Sequence, residues 1–513
     1  MNIIIPMAGR SSRFFEAGYK GTKALLPVGN RKMIEHVVNM FDPNKCRYYI
    51  VINSQQLQDY PNLIDYLKKI ATNIEVVVIE THDLGPVYSA LQVKGIKDNE
   101  ETIVSYCDFI VHWNYPLFLR QVYGSDGCVV SFKGFHPASF GSTFYAYMKV
   151  KDNHMLELRE KKSFTENRIK EHASTGIYYF KKYSIFNKYS KKLLEEESSA
   201  DTESYVSLLF NNMVEDGLSV AVHEVNKFIC LGTPDDYEQY QFWWNYFTTE
   251  QKPLLNNDKN VKKVGLIPMA GKGSRFREYG YRVAKPLIQI NSKPMIFSIL
   301  NSMPKQDQWI FLPRQKDLDR HPIKKALLSF SENSIIVGVR NHTSGQAATC
   351  LLAKDMIDDD SELTIASSDY EHRYNPELWR AITQNPEIDG AIWTYRSGSM
   401  VLKNPEMFAY CELKSDGFSV SRVVEKSIIS NKPNLDPLVV GTFWYRKARD
   451  FKLAANHLID NDIKINGEHY VGTSINYLLK KGKKFVIFDI SQWISFGTPL
   501  ELQIFEYWQD IFQ

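Results

Sequence analysis

Short apolar runs alternate with amphipathic stretches along the first half of the chain. Ile3 to Ile5, Tyr48 to Ile52, Val76 to Ile79, Thr102 to Tyr106 and Cys128 to Phe132 are rich in β-branched and aromatic residues. Several carry no charge, which predicts strands covered on both faces. Between them, Met33 to Met40, Leu57 to Ile70, Val87 to Val93 and Tyr115 to Val122 have helical spacing; Leu63, Ile64, Leu67 and Ile70 share one face. Strand–helix–strand repetition predicts a mainly parallel sheet with right-handed crossovers. After Phe132 the strands acquire polar insertions, as in Phe144 to Met148 and Ile177 to Phe180, which predicts a mixed sheet covering the substrate side.

The second half repeats the order with Leu266 to Pro268, Trp309 to Leu312, Ser334 to Val339, Leu363 to Ser367 and Gly390 to Tyr395. IIPMAGRSSRFFEAGYKGTKALLPVGNRKMI begins at Ile4, and LIPMAGKGSRFREYGYRVAKPLIQINSKPMI at Leu266. About half of the aligned positions are identical without a gap, so the chain is two copies of one domain. The predicted domains are 1–248 and 264–513, joined by the polar linker 249–263. A closing motif recurs as FICLGTP from Phe228 and WISFGTP from Trp493, each followed by an aromatic helix. Phe242, Trp243, Trp244 and Tyr246 assign the first of these helices to core packing, with a domain–domain contact as the second reading.

Composition narrows the class. A chain of 513 residues exceeds one core, and each half is of common domain size. With 44% hydrophobic residues and a formal charge of +3, bulk charge gives no support to nucleic-acid binding. The six cysteines are scattered without metal-ligand spacing, as in reduced thiols. The opening NIIIP lacks a basic flank and a long apolar stretch, and no apolar run approaches membrane length. The expected location is the cytoplasm, with no membrane partner.

At the end of the first strand of each copy, Gly9 and Gly271 let the chain turn into a helix while its amides face a ligand. The second copy reads GKGSR from Gly271; the first has Ser11 where the second has Gly273, at a position where positive φ is expected. An arginine follows (Arg13, Arg275), and ten residues later a lysine (Lys23, Lys285). Two cations over a backbone nest fit a polyphosphate, since arginine grips oxygens bidentately and lysine acts as a point charge. The competing reading is a pair of exposed cations on a surface loop. Asp108 and Asp369 end apolar strands, at the mouth of a parallel sheet where ligands of such folds bind. A carboxylate there either caps the next turn or holds a hard divalent ion with a triphosphate. The nearby Arg and Lys favour the ion.

These residues resemble the nucleotidyltransferase family that makes nucleotide-sugars and similar activated metabolites, whose signature is AGxGxR followed by Lys-Pro. Lys285-Pro286 matches it; Lys23-Ala24 loses the proline. The resemblance spans nearly all of both halves and implies two tandem Rossmann-like, GT-A-like α/β domains. Each is a mainly parallel mixed sheet flanked by helices. It implies catalytic roles for Arg13, Lys23, Arg275 and Lys285. Nucleotide contacts fall to Ala8, Gly9, Ala270, Gly271 and Gly273, and to the glycine-headed helices at Gly85 and at Gly345-Gln346. Mg²⁺ falls to Asp108 and Asp369, and contacts to the sugar and its phosphate to Glu160, Lys161, Gly176, Glu425, Lys426 and Gly441. The family's second metal-binding Asp is Cys230 in one copy and Ser495 in the other. Asp235 and Asp236 are weak substitutes, read as having no match in the second copy's closing motif.

The reaction implied is attack by a phosphate oxygen of a sugar 1-phosphate or phosphocholine-like ester on the α-phosphorus of an NTP, releasing pyrophosphate. Such chemistry needs alignment and charge neutralisation more than a general base. Retention of Arg, Lys and Asp in both copies points to two working sites, and FIVHW from Phe109 against YEHRY from Tyr370 to different substrates. The resemblance implies a role in surface-glycan precursor synthesis. A glycosyltransferase of the related fold is the enzymatic alternative, and a nucleotide-binding scaffold with one degenerate site the other. The duplication fits a monomer replacing a homodimer, or a homodimer.

Overall fold

The computed structural model describes residues 1–140, 145–197, 203–250, 261–396 and 404–513. Most of the expected linker (251–260) and the start of the strand expected at Phe144 lie outside them. The chain divides into two compact units, Met1–Thr248 with Tyr507–Gln513, and Thr249–Glu506. Both are α/β.

In the first unit a nine-stranded sheet runs in the order Ile74–Ile79, Arg47–Asn53, Asn2–Pro6, Thr102–Ser105, His172–Phe180, Gly127–Phe132, Val220–Glu224, His154–Arg159, Tyr147–Lys151. The first four strands are mutually parallel. His172–Phe180 then enters antiparallel, between Thr102–Ser105 and Gly127–Phe132. Gly127–Phe132 is therefore not part of the uninterrupted parallel run that its composition predicts. It is parallel only to Val220–Glu224.

Alternation along the central strand explains its apolar content. Ile3 and Ile5 enter one core with Tyr48 and Ile50, while Ile4 enters the opposite core with Tyr49 and Val51. Both faces are covered, so each isoleucine contributes roughly 1.5–3 kcal/mol by burial.

The second unit repeats this frame. Ile335–Ile336, Gln308–Pro313, Lys263–Met269 and Glu362–Ile365 are parallel, followed by antiparallel Leu438–Tyr445 and Gly390–Tyr395, then Phe485–Asp489. Leu266 and Ile310 point into one core, and Ile267 and Phe311 into the other.

Two expectations need correction. The helix read over Leu57 to Ile70 is two short helices, Ser54–Asp59 and Leu63–Lys68. Pro61 sits between them; its ring and missing N–H disfavour helix through that point. The strand read over Ser334 to Val339 is regular only at Ile335–Ile336. It continues as single hydrogen bonds, Val337 N–H to Phe311 O (2.9 Å) and Val339 N–H to Pro313 O (2.8 Å). The helix Pro234–Thr248 packs within its unit: Tyr237 meets Phe14 and Tyr19, and Trp244 lies against Gly29.

Candidate active site

Each phosphate loop leaves a buried central strand and enters a five-residue helix, Ser12–Glu16 or Ser274–Glu278. The residue before the helix is left-handed in both units: Gly273 at φ 60° and Ser11 at φ 55°. A serine there carries a steric cost of about 1–2 kcal/mol, offset in part because Ser11 Oγ accepts a hydrogen bond from Lys23 N–H (3.1 Å). The loop's missing glycine is thus replaced by a side chain that ties it to the Lys23 backbone.

The lysine and aspartate of each copy meet. Lys23 Nζ lies 2.7 Å from Asp108 Oδ2, and Lys285 Nζ 2.5 Å from Asp369 Oδ2. Burial alone would lower the pKa of the Lys23 ammonium; the Asp108 charge, the Cys107 thiol and the Asp108 hydrogen bond together outweigh it and raise the pKa above its ordinary value. The aspartates are fixed by the closing motifs. Asp108 O accepts from Leu231 N–H (2.9 Å), and Asp369 O from Phe496 N–H (2.8 Å). Short antiparallel ribbons, Phe109–His112 with Lys227–Cys230 and Tyr370–Arg373 with Gln492–Ser495, hold these contacts.

A cleft opens at the lysine of each pair; Asp369 lines its cleft, whereas Asp108 lies outside the lining of the first. In the first unit Ala8, Gly9, Arg13, Lys23 and Gly85 line about 250 Å³. In the second, Gly271, Gly273, Arg275, Lys285 and Asp369 line about 680 Å³. Arg13 and Arg275 are exposed and unpaired with any carboxylate among the described residues. Ala270 packs against the core behind the loop, and Gly345 and Gln346 stand outside the lining of the cleft.

Gly85 and Gly345 have a packing reason to be glycine. A Cβ at Gly85 would fall 2.6 Å from Ser204 N, and one at Gly345 2.5 Å from His469 N and O. The clasping segments are themselves a repeat absent from the sequence reading: Glu203-Ser204-Tyr205 and Glu468-His469-Tyr470. Glu203 and Glu468 line the two clefts. Lys161 Nζ donates to Tyr205 OH (2.8 Å), and Lys426 Nζ lies 5.8 Å from the Tyr470 ring centroid. Lys161 and Lys426 both sit at φ 55°, a strained conformation shared by the two copies. The Glu-x-Tyr recurrence was visible in the sequence, displaced because the offset between copies shifts along the chain.

Lys161 and Lys426, like the other expected acceptor residues, fall outside the lining of the clefts. Glu160 Oε2 accepts from Ser207 Oγ (2.5 Å), and burial raises its pKa. Burial pushes Glu425 up to about 7, with Lys426 opposing. Gly176 packs against Tyr106 and Phe109, and Gly441 contacts Tyr370 and Ser367.

Asp236 does have a counterpart, contrary to expectation. Aligning the Gly-Thr-Pro triplets sets it opposite Glu501. Each carboxylate accepts from the preceding threonine hydroxyl (2.7 Å at Asp236, 2.9 Å at Glu501), and that hydroxyl in turn accepts the Asp236 or Glu501 N–H (3.2 Å in each) and caps the helix. A Cβ at Gly497 would sit 3.1 Å from Glu501 Oε2 and 3.8 Å from Asp369 Oδ2, so two carboxylates face one glycine. Two carboxylate oxygens there suit a hard divalent cation. In the first unit the Cys230 thiol, which burial keeps protonated, intervenes and donates to Asp236 (3.3 Å). Among the described residues no group of three or more His, Cys, Asp or Glu side chains is arranged to hold a metal without a ligand.

Residues 3–162 match the MobA-like NTP transferase domain, and residues 264–511 match the nucleotidyl transferase domain. Each half of the chain is a nucleotidyltransferase domain. The tandem nucleotidyltransferase matches no curated protein. Among solved structures it is similar to a nucleoside-diphosphate-sugar pyrophosphorylase from Vibrio cholerae RC9, at 21% identity over 46% of this chain and 98% of that one (TM-score 0.39). It is also similar to the inositol-1-phosphate CTP transferase from T. maritima, at 12% identity over 50% and 98% (TM-score 0.39). A UDP-glucose pyrophosphorylase complexed with UDP-glucose matches at 15% identity over 49% and 99% (TM-score 0.38). No described helix of the tandem nucleotidyltransferase is long and apolar enough to cross a membrane.

Proposed function

We propose that the chain transfers a nucleotidyl group from an NTP to a sugar 1-phosphate or a similar small phosphate ester, releasing pyrophosphate and giving an activated precursor for surface glycans. The observation that carries this is the duplicated Lys–Asp pair at the mouth of a glycine phosphate loop, 2.7 Å and 2.5 Å across in the two units. Six free cysteines fit a reducing compartment, the cytoplasm.

Arg275 and Lys285 neutralise the triphosphate, and Gly271 and Gly273 admit it to the backbone amides. Lys426 holds the incoming phosphate, and Glu425 the sugar. Arg13, Lys23, Gly9, Lys161 and Glu160 have these roles in the first unit. The acceptor phosphate is already anionic, so no base is needed. Asp369, with Glu501 near it, and Asp108 would hold Mg²⁺, which supplies charge neutralisation across the phosphates. Alignment and fixed charge lower the barrier. Both units retain the set; the second has the larger cleft and the fuller donor set, and is assigned the greater activity.

The test is to incubate the full chain with each NTP, Mg²⁺ and a panel of phosphate esters, following pyrophosphate. Release that requires both NTP and one ester supports the proposal. Nucleoside diphosphate release from a nucleotide-sugar supports the glycosyltransferase alternative instead.

A further inference from the structure

The two phosphate loops are braced differently from the neighbouring strand. In the first unit, Asn53 and Gln56 are buried at the end of Arg47–Asn53 and serve the loop. Asn53 Nδ2 donates to Ala8 O (2.7 Å), and Gln56 Nε2 to Met7 O (2.8 Å) and Thr22 Oγ1 (3.1 Å). In the second unit Arg314 and Asp317 occupy these positions and bind each other, at 2.7 and 2.8 Å. The internal ties to the loop are replaced by a charged pair that lines the cleft.

The next residues complete the change. Lys316 and Arg320 line the second cleft, are exposed, and have no ion pair among the described residues. Their counterparts in the first unit are Gln55 and Asp59, which are absent from the first cleft's lining. Unpaired like charges gathered in one concavity raise each other's energy, and an anion relieves this.

Their position says which anion. The strand Lys263–Met269 has Gln308–Pro313 on one side and Glu362–Ile365, leading to Asp369, on the other. Lys316 and Arg320 therefore belong to the side of the phosphate loop away from Asp369. In an in-line displacement the acceptor oxygen forms its bond to the α-phosphorus as the bond from that phosphorus to the bridging oxygen breaks. The electron pair leaves with pyrophosphate, opposite the attack.

We infer that Lys316 and Arg320, oriented beside the Arg314–Asp317 pair, form a pyrophosphate subsite that the second unit has and the first lacks. This rests on the reading of that cleft as an NTP site. The second unit then binds the β- and γ-phosphates and the released pyrophosphate more tightly, and is the unit more strongly inhibited by its product.

Inorganic pyrophosphate and nucleoside monophosphates are titrated into the full chain by calorimetry in a Lys23→Ala background, with and without Lys316→Ala plus Arg320→Ala. Both residues are exposed, and the thermal midpoint checks folding. The expected result is at least a tenfold loss of pyrophosphate affinity, with monophosphate affinity held within twofold. Gln55→Ala plus Asp59→Ala leaves both affinities unchanged. Unchanged pyrophosphate affinity, no pyrophosphate binding before substitution, or an equal loss for both ligands would overturn the inference. Turnover of NTP with unaltered pyrophosphate binding sinks only the subsite. Pyrophosphate binding that responds to the variants without any NTP turnover sinks the proposed reaction instead.

Discussion

Single residues decide how far each phosphate loop can be varied. At Gly273 an added Cβ meets only Lys285 Cβ, at 3.8 Å, so the cost of a side chain is conformational. Gly273→Ser is expected to lose about 1 kcal/mol by urea unfolding, with the fold intact. Gly345→Ala drives a methyl to 2.5 Å from the His469 backbone and is expected to lose several times as much. The positive φ at Ser11 was legible because its partner in the repeat is glycine; the clash behind Gly345 was not, since His469 is remote in sequence. Glu425 makes a further test. Its folded pKa, about 7, exceeds its unfolded value, so its contribution favours folding below the unfolded pKa and is lost as pH rises through 7. Stability of the second unit should fall between about pH 4.5 and 7, by at most roughly 3 kcal/mol, and Glu425→Gln should flatten that slope in pH-dependent unfolding.

Elements carry the parts of the site that no motif reveals. The strand ends and phosphate loops could be read from apolar runs broken by glycine, and they hold Lys23 to Asp108 and Lys285 to Asp369. The segments Glu203–Tyr205 and Glu468–Tyr470 were not read, because no periodic pattern marks them and their role comes from clasping another element. Each packs its backbone against the glycine-headed helix and sets its tyrosine near Lys161 or Lys426. Tyr205→Phe removes the acceptor for Lys161 Nζ while keeping the ring. Its expected effect is a several-fold rise in KM for the phosphate ester at the first unit, with KM for NTP and kcat nearly unchanged. A purely structural role would instead lower the unfolding midpoint and move both KM values together. The break at Pro61 was present in the sequence but outweighed by the apolar face that spans it.

Duplication gave the molecule two frames with the same strand order, and divergence has acted mainly on their charges. The second cleft adds the unpaired Lys316 and Arg320 to the loop cations, Arg314 being held by Asp317, whereas Arg10 of the first is paired with Asp83 at 2.7 Å. NTP binding to the second unit should therefore weaken more steeply with salt than binding to the first, measured by titration of the Lys23→Ala and Lys285→Ala chains from low to high ionic strength. The frame was legible because the central strands are buried on two faces; the charge asymmetry emerged only once strand neighbours were known. The most direct trial of the proposed chemistry is the rate of pyrophosphate release by the full chain carrying Lys285→Ala in the Lys23→Ala background, against Lys23→Ala alone, with NTP, Mg²⁺ and the accepted phosphate ester saturating. A fall of at least a hundredfold in the second unit's turnover is expected. An undiminished rate would contradict the role of the Lys285–Asp369 pair.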